Sequence, residues 1–260
     1  MLCSNANVCV FSLFKRLAIY QMFSFFRKKT SEKHSFAFLG TDMHSHLIPG
    51  IDDGARTIEE SVLLLDELKA LGFNKLITTP HVYADLYPNT TQGIQHGLAT
   101  LQPHSPVAIE AAAEYFVDEH LMKRFRNDDV LCIKDRLFLM EYSFYSKPFN
   151  AEELVFEALT RGYTPVIAHA ERYLFLQGQV QKVTEWQEMG CLIQVNLTSL
   201  AGYYGPEIKR FALELLKHKT IDFLGTDLHH EKHLISLKKL LKDNDTMKKL
   251  YAYEFMNASL

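Results

Sequence analysis

The strongest constraint on this chain is a repeating order. Short apolar, β-branched runs alternate with helix-like stretches, and every run closes on a polar side chain. The runs are predicted as strands at residues 36–44, 75–80, 107–113, 137–140, 164–168, 192–196 and 221–225. The polar groups that end or follow them are His44, His81, Glu114, Glu141, His169, Asn196 and Asp227. Strands that alternate with helices pair in parallel, so the expected class is α/β, built from βα repeats. The first helix is expected over 57–71: Thr57 caps it, Glu60 completes a capping box and Gly72 stops it. Further helices are expected over 151–161, up to Met189 and over 206–218. The tail from Lys232 is expected to form one or two helices with a basic, solvated face.

Length and charge narrow the function. At 260 residues the chain can bury a full core as one domain, and 47% hydrophobic with 23% charged residues is usual for a globular protein. A formal net charge of −3 without long basic runs argues against a nucleic-acid partner. The four cysteines, Cys3, Cys9, Cys132 and Cys191, have no CxxC spacing, which points to a reducing, cytoplasmic setting without a disulfide framework. Residues 1–35 are expected to form an extension ahead of a domain at 36–260. The apolar stretch before Lys15 is too short to span a bilayer and lacks the layout of a signal peptide, so Met22 is the expected start and 1–21 an added extension. After Met22, Phe23 to Phe26 with Arg27, Lys28 and Lys29 form a short amphipathic tail that either brushes a membrane, docks or stays disordered.

The chemistry centres on Asp42-Met43-His44-Ser45-His46 and the Asp52-Asp53-Gly54 loop just beyond it. Two histidines two apart on an extended strand end point to the same face, and neutral imidazole is a good ligand for divalent zinc, manganese or iron. With His81, Glu114, Glu141, His169, Asp227 and His229 these make five histidines and four carboxylates (His44, His46, His81, His169 and His229; Asp53, Glu114, Glu141 and Asp227). The C-terminal strand ends are where a βα barrel builds its site. A mixed N/O set without thiolate suits borderline or hard ions such as manganese, iron or zinc, and nine groups suffice for two or three of them. Such clusters activate water and clamp the oxygens of a displacement at phosphorus. Cysteine chemistry is excluded by spacing: an arginine would be needed six positions after the nucleophile, where Cys132 has Phe138 and Cys191 has Leu197.

These motifs resemble the polymerase and histidinol phosphatase superfamily and, within it, the bacterial capsule-type protein tyrosine phosphatases. The resemblance rests on Asp42-x-His44-x-His46, Ile51-Asp52-Asp53-Gly54, Thr78-Thr79-Pro80-His81, Ala113-Glu114, Met140-Glu141, Ala168-His169-x-Glu171-Arg172-Tyr173 and Thr226-Asp227-x-His229. It implies a distorted seven-stranded (β/α)7 barrel, a trinuclear centre with all nine residues as ligands, and Arg172 gripping the phosphate. It further implies attack on phosphotyrosine by a metal-bound hydroxide, with a bacterial tyrosine kinase of capsule or exopolysaccharide synthesis as the substrate. Membrane contact would come only through that partner or the N-terminal tail. The alternatives are a small-molecule phosphatase of the histidinol-phosphate type and an inactive metal-holding subunit. Relatives often carry an arginine after the last Asp-x-His; here Lys232 or His233 stands nearby as a substitute. His229, His233 or a bound water is the candidate proton donor to the leaving phenolate. Tyr83 and Tyr87 either wall a phosphotyrosine pocket or pack their loop. Asp42 is expected to support a histidine, Asp52 to be solvated or capping, and Glu171 to support a histidine or pair with an arginine. Trp186 is expected in the core, and His34, His96, His104, His120 and His218 at the surface.

Overall fold

The computed structural model describes residues 34–147 and 150–260. The extension, with Cys3, Cys9, the expected start at Met22 and the apolar tail after it, lies outside the described residues. The chain runs β1 (Thr41–Asp42), α1 (Ile58–Leu71), β2 (Lys75–Thr78), β3 (His81–Val82), α2 (Thr91–Leu101), β4 (Ala108–Ala111), β5 (Glu114–Phe116), α3 (Glu119–Asn127), β6 (Leu137–Glu141), α4 (Ala151–Thr160), β7 (Thr164–Ile167), α5 (Val180–Glu188), β8 (Leu192–Asn196), α6 (Leu197–Leu200), α7 (Pro206–His218), β9 (Phe223–Gly225), α8 (Glu231–Leu240) and α9 (Asn244–Tyr251). Short 3-10 turns fill in between. All ladders between these strands are parallel. β1, β2 and β4 form one sheet, and β3, β5, β6, β7, β8 and β9 the other. The ends of this α/β arrangement are tied together: a parallel bridge joins Ser45 to Leu228, and the Asp227 N–H donates to the His44 carbonyl at 2.8 Å.

Two predicted strands are broken. The run 75–80 stops at Thr78 and resumes as β3, and the run 107–113 stops at Ala111 and resumes as β5. Pro80 lacks an N–H for the ladder, and its carbonyl instead accepts from the Glu114 N–H at 3.1 Å. The break turns His81 and Glu114 into the first residues of new strands, paired with each other in register. The first predicted strand is corrected more deeply. Only Thr41–Asp42 pairs; residues 36–40 coil into turns, with Leu39 N–H donating to the Phe36 carbonyl at 2.9 Å. Phe36 and Leu39 are nevertheless buried. An apolar run reports burial, and burial was met here by packing at the end of α1, where Phe36 stacks on Phe73 at 5.7 Å, instead of by strand pairing.

The helices follow their local signals. Thr57 Oγ1 accepts from the Glu60 N–H at 3.3 Å, and Gly72 closes α1 in the left-handed region at φ 113°. The reciprocal half of the capping box is absent: Glu60 Oε2 accepts from the Arg56 N–H at 2.9 Å instead, and the same carboxylate pairs with the Arg56 guanidinium. The tail forms two helices as expected, α8 and α9. Helices α2 and α3 lie between strands where the sequence pattern named none. Trp186 is buried, Cys191 is buried and Cys132 half-buried, both as free thiols. Burial pushes these thiols up, to about 11 for Cys132 and about 12 for Cys191, so neither offers a thiolate near neutral pH.

One large apolar cluster lies between the strands and the helices. A second, small one takes Ile77, Leu139, Val166 and Phe223 from strands, with Met43 and Ala112 from just past the ends of β1 and β4, and so fills the inside of the curl. The polar strand ends lie beyond this inner plug. Among the described residues no helix is long and apolar enough to cross a membrane.

Candidate active site

The nine predicted residues come together on one face. His44 and His46 follow β1, His81 opens β3, Glu114 opens β5, Glu141 ends β6, His169 follows β7, and Asp227 and His229 follow β9. Asp53 arrives from the loop ahead of α1. Glu114 stands in the middle. Its Oε2 lies 3.1 Å from His44 Nε2, 3.4 Å from His46 Nε2 and 3.2 Å from His81 Nδ1, and its Oε1 lies 2.9 Å from His169 Nε2. Glu141 Oε1 is 3.0 Å from His81 Nδ1. Asp227 Oδ1 faces His44, His46 and His229 at 3.4, 3.5 and 3.4 Å. Asp53 Oδ1 reaches His81 Nε2 at 3.4 Å and His229 Nε2 at 3.5 Å.

Six of the nine groups, His44, His46, Glu114, Glu141, His169 and Asp227, are buried, so the electrostatics at the centre are strong. Burial opposes a charge on His44, yet Glu114 and Asp227 outweigh it and raise its pKa. The same contest raises His46 well above its usual range, with Asp52 the leading carboxylate, and raises His81 to about 9, with Glu114 leading. Burial works equally against ionised Glu114 and Asp227, but the surrounding imidazoles hold both well below the usual carboxylate range. The hydrogen bond from His229 leads in lowering Asp53. A site of this kind calls for positive charge at its centre. The donor groups fit divalent ions: His46, Asp53, His81 and His229 bring ligand atoms within 4.8 Å of one another, as do His44, His46 and Asp227, and His81, Glu114 and Glu141. His169 Nδ1 is buried without a hydrogen-bond partner, while its Nε2 faces Glu114 Oε1 at 2.9 Å.

The backbone is held in place for this. His169 at φ 34° and Asp227 at φ 50° both lie in the left-handed region, unusual for residues with a side chain and costing on the order of 1–3 kcal/mol each. Gly54 allows the Asp-Asp-Gly loop to fold onto His46: a Cβ there would stand 2.3 Å from the His46 carbonyl oxygen.

Several supporting groups were not legible in the sequence or were misread. Asp52 is not solvated but does cap its loop, its Oδ1 accepting from the Gly54 N–H at 3.0 Å. Its Oδ2 accepts from His46 Nδ1–H at 2.8 Å and from the His81 N–H at 3.1 Å, which turns His46 Nε2 toward the centre. Asp42 supports no histidine ring. It accepts from the Thr226 N–H and hydroxyl at 2.9 and 2.6 Å, locking β1 to the segment after β9, and burial lifts its pKa to about 6. Glu171 pairs with neither a histidine nor an arginine; its Oε1 accepts from the Ser199 hydroxyl at 2.5 Å and the Asn196 N–H at 3.0 Å. β8 contributes no member of the nine. Instead Gln194 Oε1 accepts from His44 Nδ1–H at 3.1 Å and the His169 N–H at 2.8 Å, Gln194 donates to Asn196 Oδ1 at 2.9 Å, and Asn196 donates to Asp227 Oδ2 at 2.7 Å. The available signal was a pair of amides two apart in an apolar strand, hence on one face.

Above the cluster opens a cleft of about 580 Å3 with largely aromatic walls. Tyr83 and Tyr87 both line it. Tyr83 stacks on Phe116 with ring centroids 4.2 Å apart, and Tyr87 stacks on His81 at 5.4 Å. Arg172 lines it and donates to Asp227 Oδ2 at 3.0 Å. His233 also lines it, but is buried with its Nδ1 at 2.9 Å from the Asp227 carbonyl and 3.3 Å from the His229 N–H; burial lowers its pKa to about 4. Lys232 is exposed and is not among the cleft walls. His96, His104, His120 and His218 are exposed, as expected, and His34 is half-buried.

The sequence pattern of the family described as capsular polysaccharide synthesis, CpsB/CapC, matches residues 40–258. The chain belongs to the CpsB/CapC family. The match spans every residue of the cluster and of the cleft described above. Among CpsB/CapC-like relatives, the tyrosine-protein phosphatase YwqE of Bacillus subtilis is 27% identical over 197 residues, covering 74% of this chain and 78% of its own length. The tyrosine-protein phosphatase CpsB of Streptococcus pneumoniae is 26% identical over 200 residues, covering 73% and 82%. A solved chain from the crystal structures of YwqE from Bacillus subtilis and CpsB from Streptococcus pneumoniae, described as unique metal-dependent tyrosine phosphatases, superposes with a TM-score of 0.72 at 25% identity. It covers 81% of this chain and 90% of the solved one.

Proposed function

We propose that this CpsB/CapC chain is a metal-dependent protein tyrosine phosphatase that removes phosphate from a bacterial tyrosine kinase of capsule or exopolysaccharide synthesis. The single observation that carries the reading is the convergence of the nine residues at the floor of an aromatic cleft with Arg172 on its wall. The family and its named relatives point the same way. The architecture supports a distorted seven-stranded barrel in which β2 with β3, and β4 with β5, each count as one broken stave, and the Ser45–Leu228 bridge closes the curl.

His44, His46, Asp53, His81, Glu114, Glu141, His169, Asp227 and His229 would hold two or three divalent ions, with manganese first and iron or zinc as alternatives. When bound, such ions activate water near neutral pH and offset charge on phosphoryl oxygens. The chain's own residues do the rest. Tyr83, Tyr87 and Phe116 receive the substrate ring and exclude water from it. Arg172 presents its planar guanidinium to the phosphoryl oxygens, holding two at once. The leaving phenolate, with a pKa near ~10, needs less help from a proton donor than an alkoxide would. His233 lines the cleft with its Nδ1 at 2.9 Å from the Asp227 carbonyl and 3.3 Å from the His229 N–H, and its part is to fix those two residues.

The test is hydrolysis of a tyrosine-phosphorylated peptide against histidinol phosphate, each with manganese and with chelator. Chelator-sensitive turnover of the peptide is expected. Preference for histidinol phosphate would replace this reading with a small-molecule phosphatase, and absence of both activities with metals bound would leave a binding subunit.

A further inference from the structure

The nine-residue cluster explains where ions would sit, but it does not explain how Arg172 stays aimed. Arginine carries a long, flexible stem, and an arginine that wanders loses most of its value as an anion grip. Here its guanidinium is enclosed on three sides. Its carbon lies 4.2 Å from the centre of the Phe144 ring and 4.1 Å from that of Tyr204. Its edge donates to Asp227 Oδ2 at 3.0 Å. The two rings restrain motion out of the guanidinium plane, and the carboxylate restrains rotation within it. The Asp227 carboxylate is divided between two tasks. Oδ1 faces the imidazoles of the centre, while Oδ2 takes Arg172, Asn196 and, at 3.5 Å, the Tyr204 hydroxyl. Phe144 and Tyr204 come from different loops, the one after β6 and the one between α6 and α7, and both line the cleft. Neither residue belongs to the cluster of nine or to any motif that marks the site in the sequence.

We infer that Phe144 and Tyr204 are positioning residues, clamping Arg172 between their ring faces so that it meets the substrate phosphate in one fixed orientation. The inference rests on the phosphatase reading above. The ring faces carry the effect, and the Tyr204 hydroxyl is secondary. An aromatic face is worth a modest cation–π attraction, larger the less water reaches it. Loss of either face should therefore weaken phosphate binding on the order of fivefold without abolishing turnover.

The experiment compares Tyr204→Leu, Tyr204→Phe and Phe144→Leu with the unsubstituted manganese-loaded protein. It reads KM and kcat on a phosphotyrosine peptide, competitive inhibition by inorganic phosphate, and metal content by elemental analysis. Tyr204→Leu and Phe144→Leu are expected to raise KM and the phosphate inhibition constant about fivefold, while Tyr204→Phe stays near the starting values. Metal content should not change. That readout matters for Phe144, whose ring also lies 5.4 Å from that of His169, so a fall in bound metal would assign its effect to the centre and overturn its clamping role. The deciding comparison repeats Tyr204→Leu on an Arg172→Ala background. A residue that acts through Arg172 has nothing left to lose there, whereas an independent structural role would cost the same fivefold again. Equal losses on both backgrounds, or equal losses for Tyr204→Leu and Tyr204→Phe, would overturn the inference. If Tyr204→Leu does not fold, Phe144→Leu on the Arg172→Ala background decides by the same rule. Phosphate inhibition and peptide turnover that are absent from the unsubstituted protein itself would count against the phosphatase reading and take this inference down with it.

Discussion

Gly54 illustrates how tightly the centre is packed. A side chain there would meet the His46 carbonyl at 2.3 Å and the His46 Cβ at 2.5 Å, and neither can give way without moving an imidazole. Gly54→Ala is therefore expected to leave a folded protein with reduced metal content and at least tenfold lower phosphatase activity, since small misplacements of a reacting group are costly. Elemental analysis and circular dichroism would check it; normal metal content would refute the role given to the loop. His81→Ala should likewise lower metal stoichiometry, because two of the three candidate ion-binding groups share its imidazole. Unchanged stoichiometry would remove His81 from the set. At this level the sequence was informative about identity and poor about partnership. His-x-His and Asp-Asp-Gly were visible as ligand patterns. That Asp52 turns His46, that Asp42 serves the β1–β9 seam, and that Gln194 serves His44 and His169 together depend on residues up to 184 positions apart.

The helices and strands were read with uneven success for a physical reason. Helix α1 carries its stop and start locally, so Thr57 and Gly72 bounded it correctly. Thr57→Ala should destabilise the protein by about 1 kcal/mol, by loss of one N-terminal hydrogen bond, and leave activity intact. A urea titration would measure this, and a change within error would show that Glu60 and Arg56 suffice at that end. Helix α2 was missed because Gly93 and Gly97 lower its helix propensity and it buries only Ile94 and Leu101. Gly97 has a tertiary purpose: a Cβ there would stand 2.4 Å from the Ile48 side chain, so the helix trades propensity for close approach to the segment after the His-x-His motif. The breaks after β2 and β4 could not be read from apolar runs that continue through them, yet they are what places His81 and Glu114 side by side.

For the folded chain, the buried centre links stability to metal. Ions that bind only the folded state stabilise it by mass action, about 2.7 kcal/mol at a hundredfold excess over Kd. Chelation is thus expected to lower Tm by roughly 5–10 °C in a domain of this size, with recovery on adding manganese. Differential scanning fluorimetry would show it, and an unchanged Tm would argue that the His–carboxylate pairs stabilise the fold equally well without ions. Chain order alone determined the parallel α/β class, the end of the strands that carries chemistry, and the nine groups that gather there. These follow from local rules: apolar runs make strands, helices between them make the strands parallel, and their polar ends then fall at one edge. The curl of the sheet decided the rest. It set Glu114 among four imidazoles, gave the two oxygens of Asp227 to different partners, and brought Phe144 and Tyr204 over the faces of Arg172. Contacts of this kind depend on distances between strands and loops remote in sequence, and no local pattern along the chain encodes them.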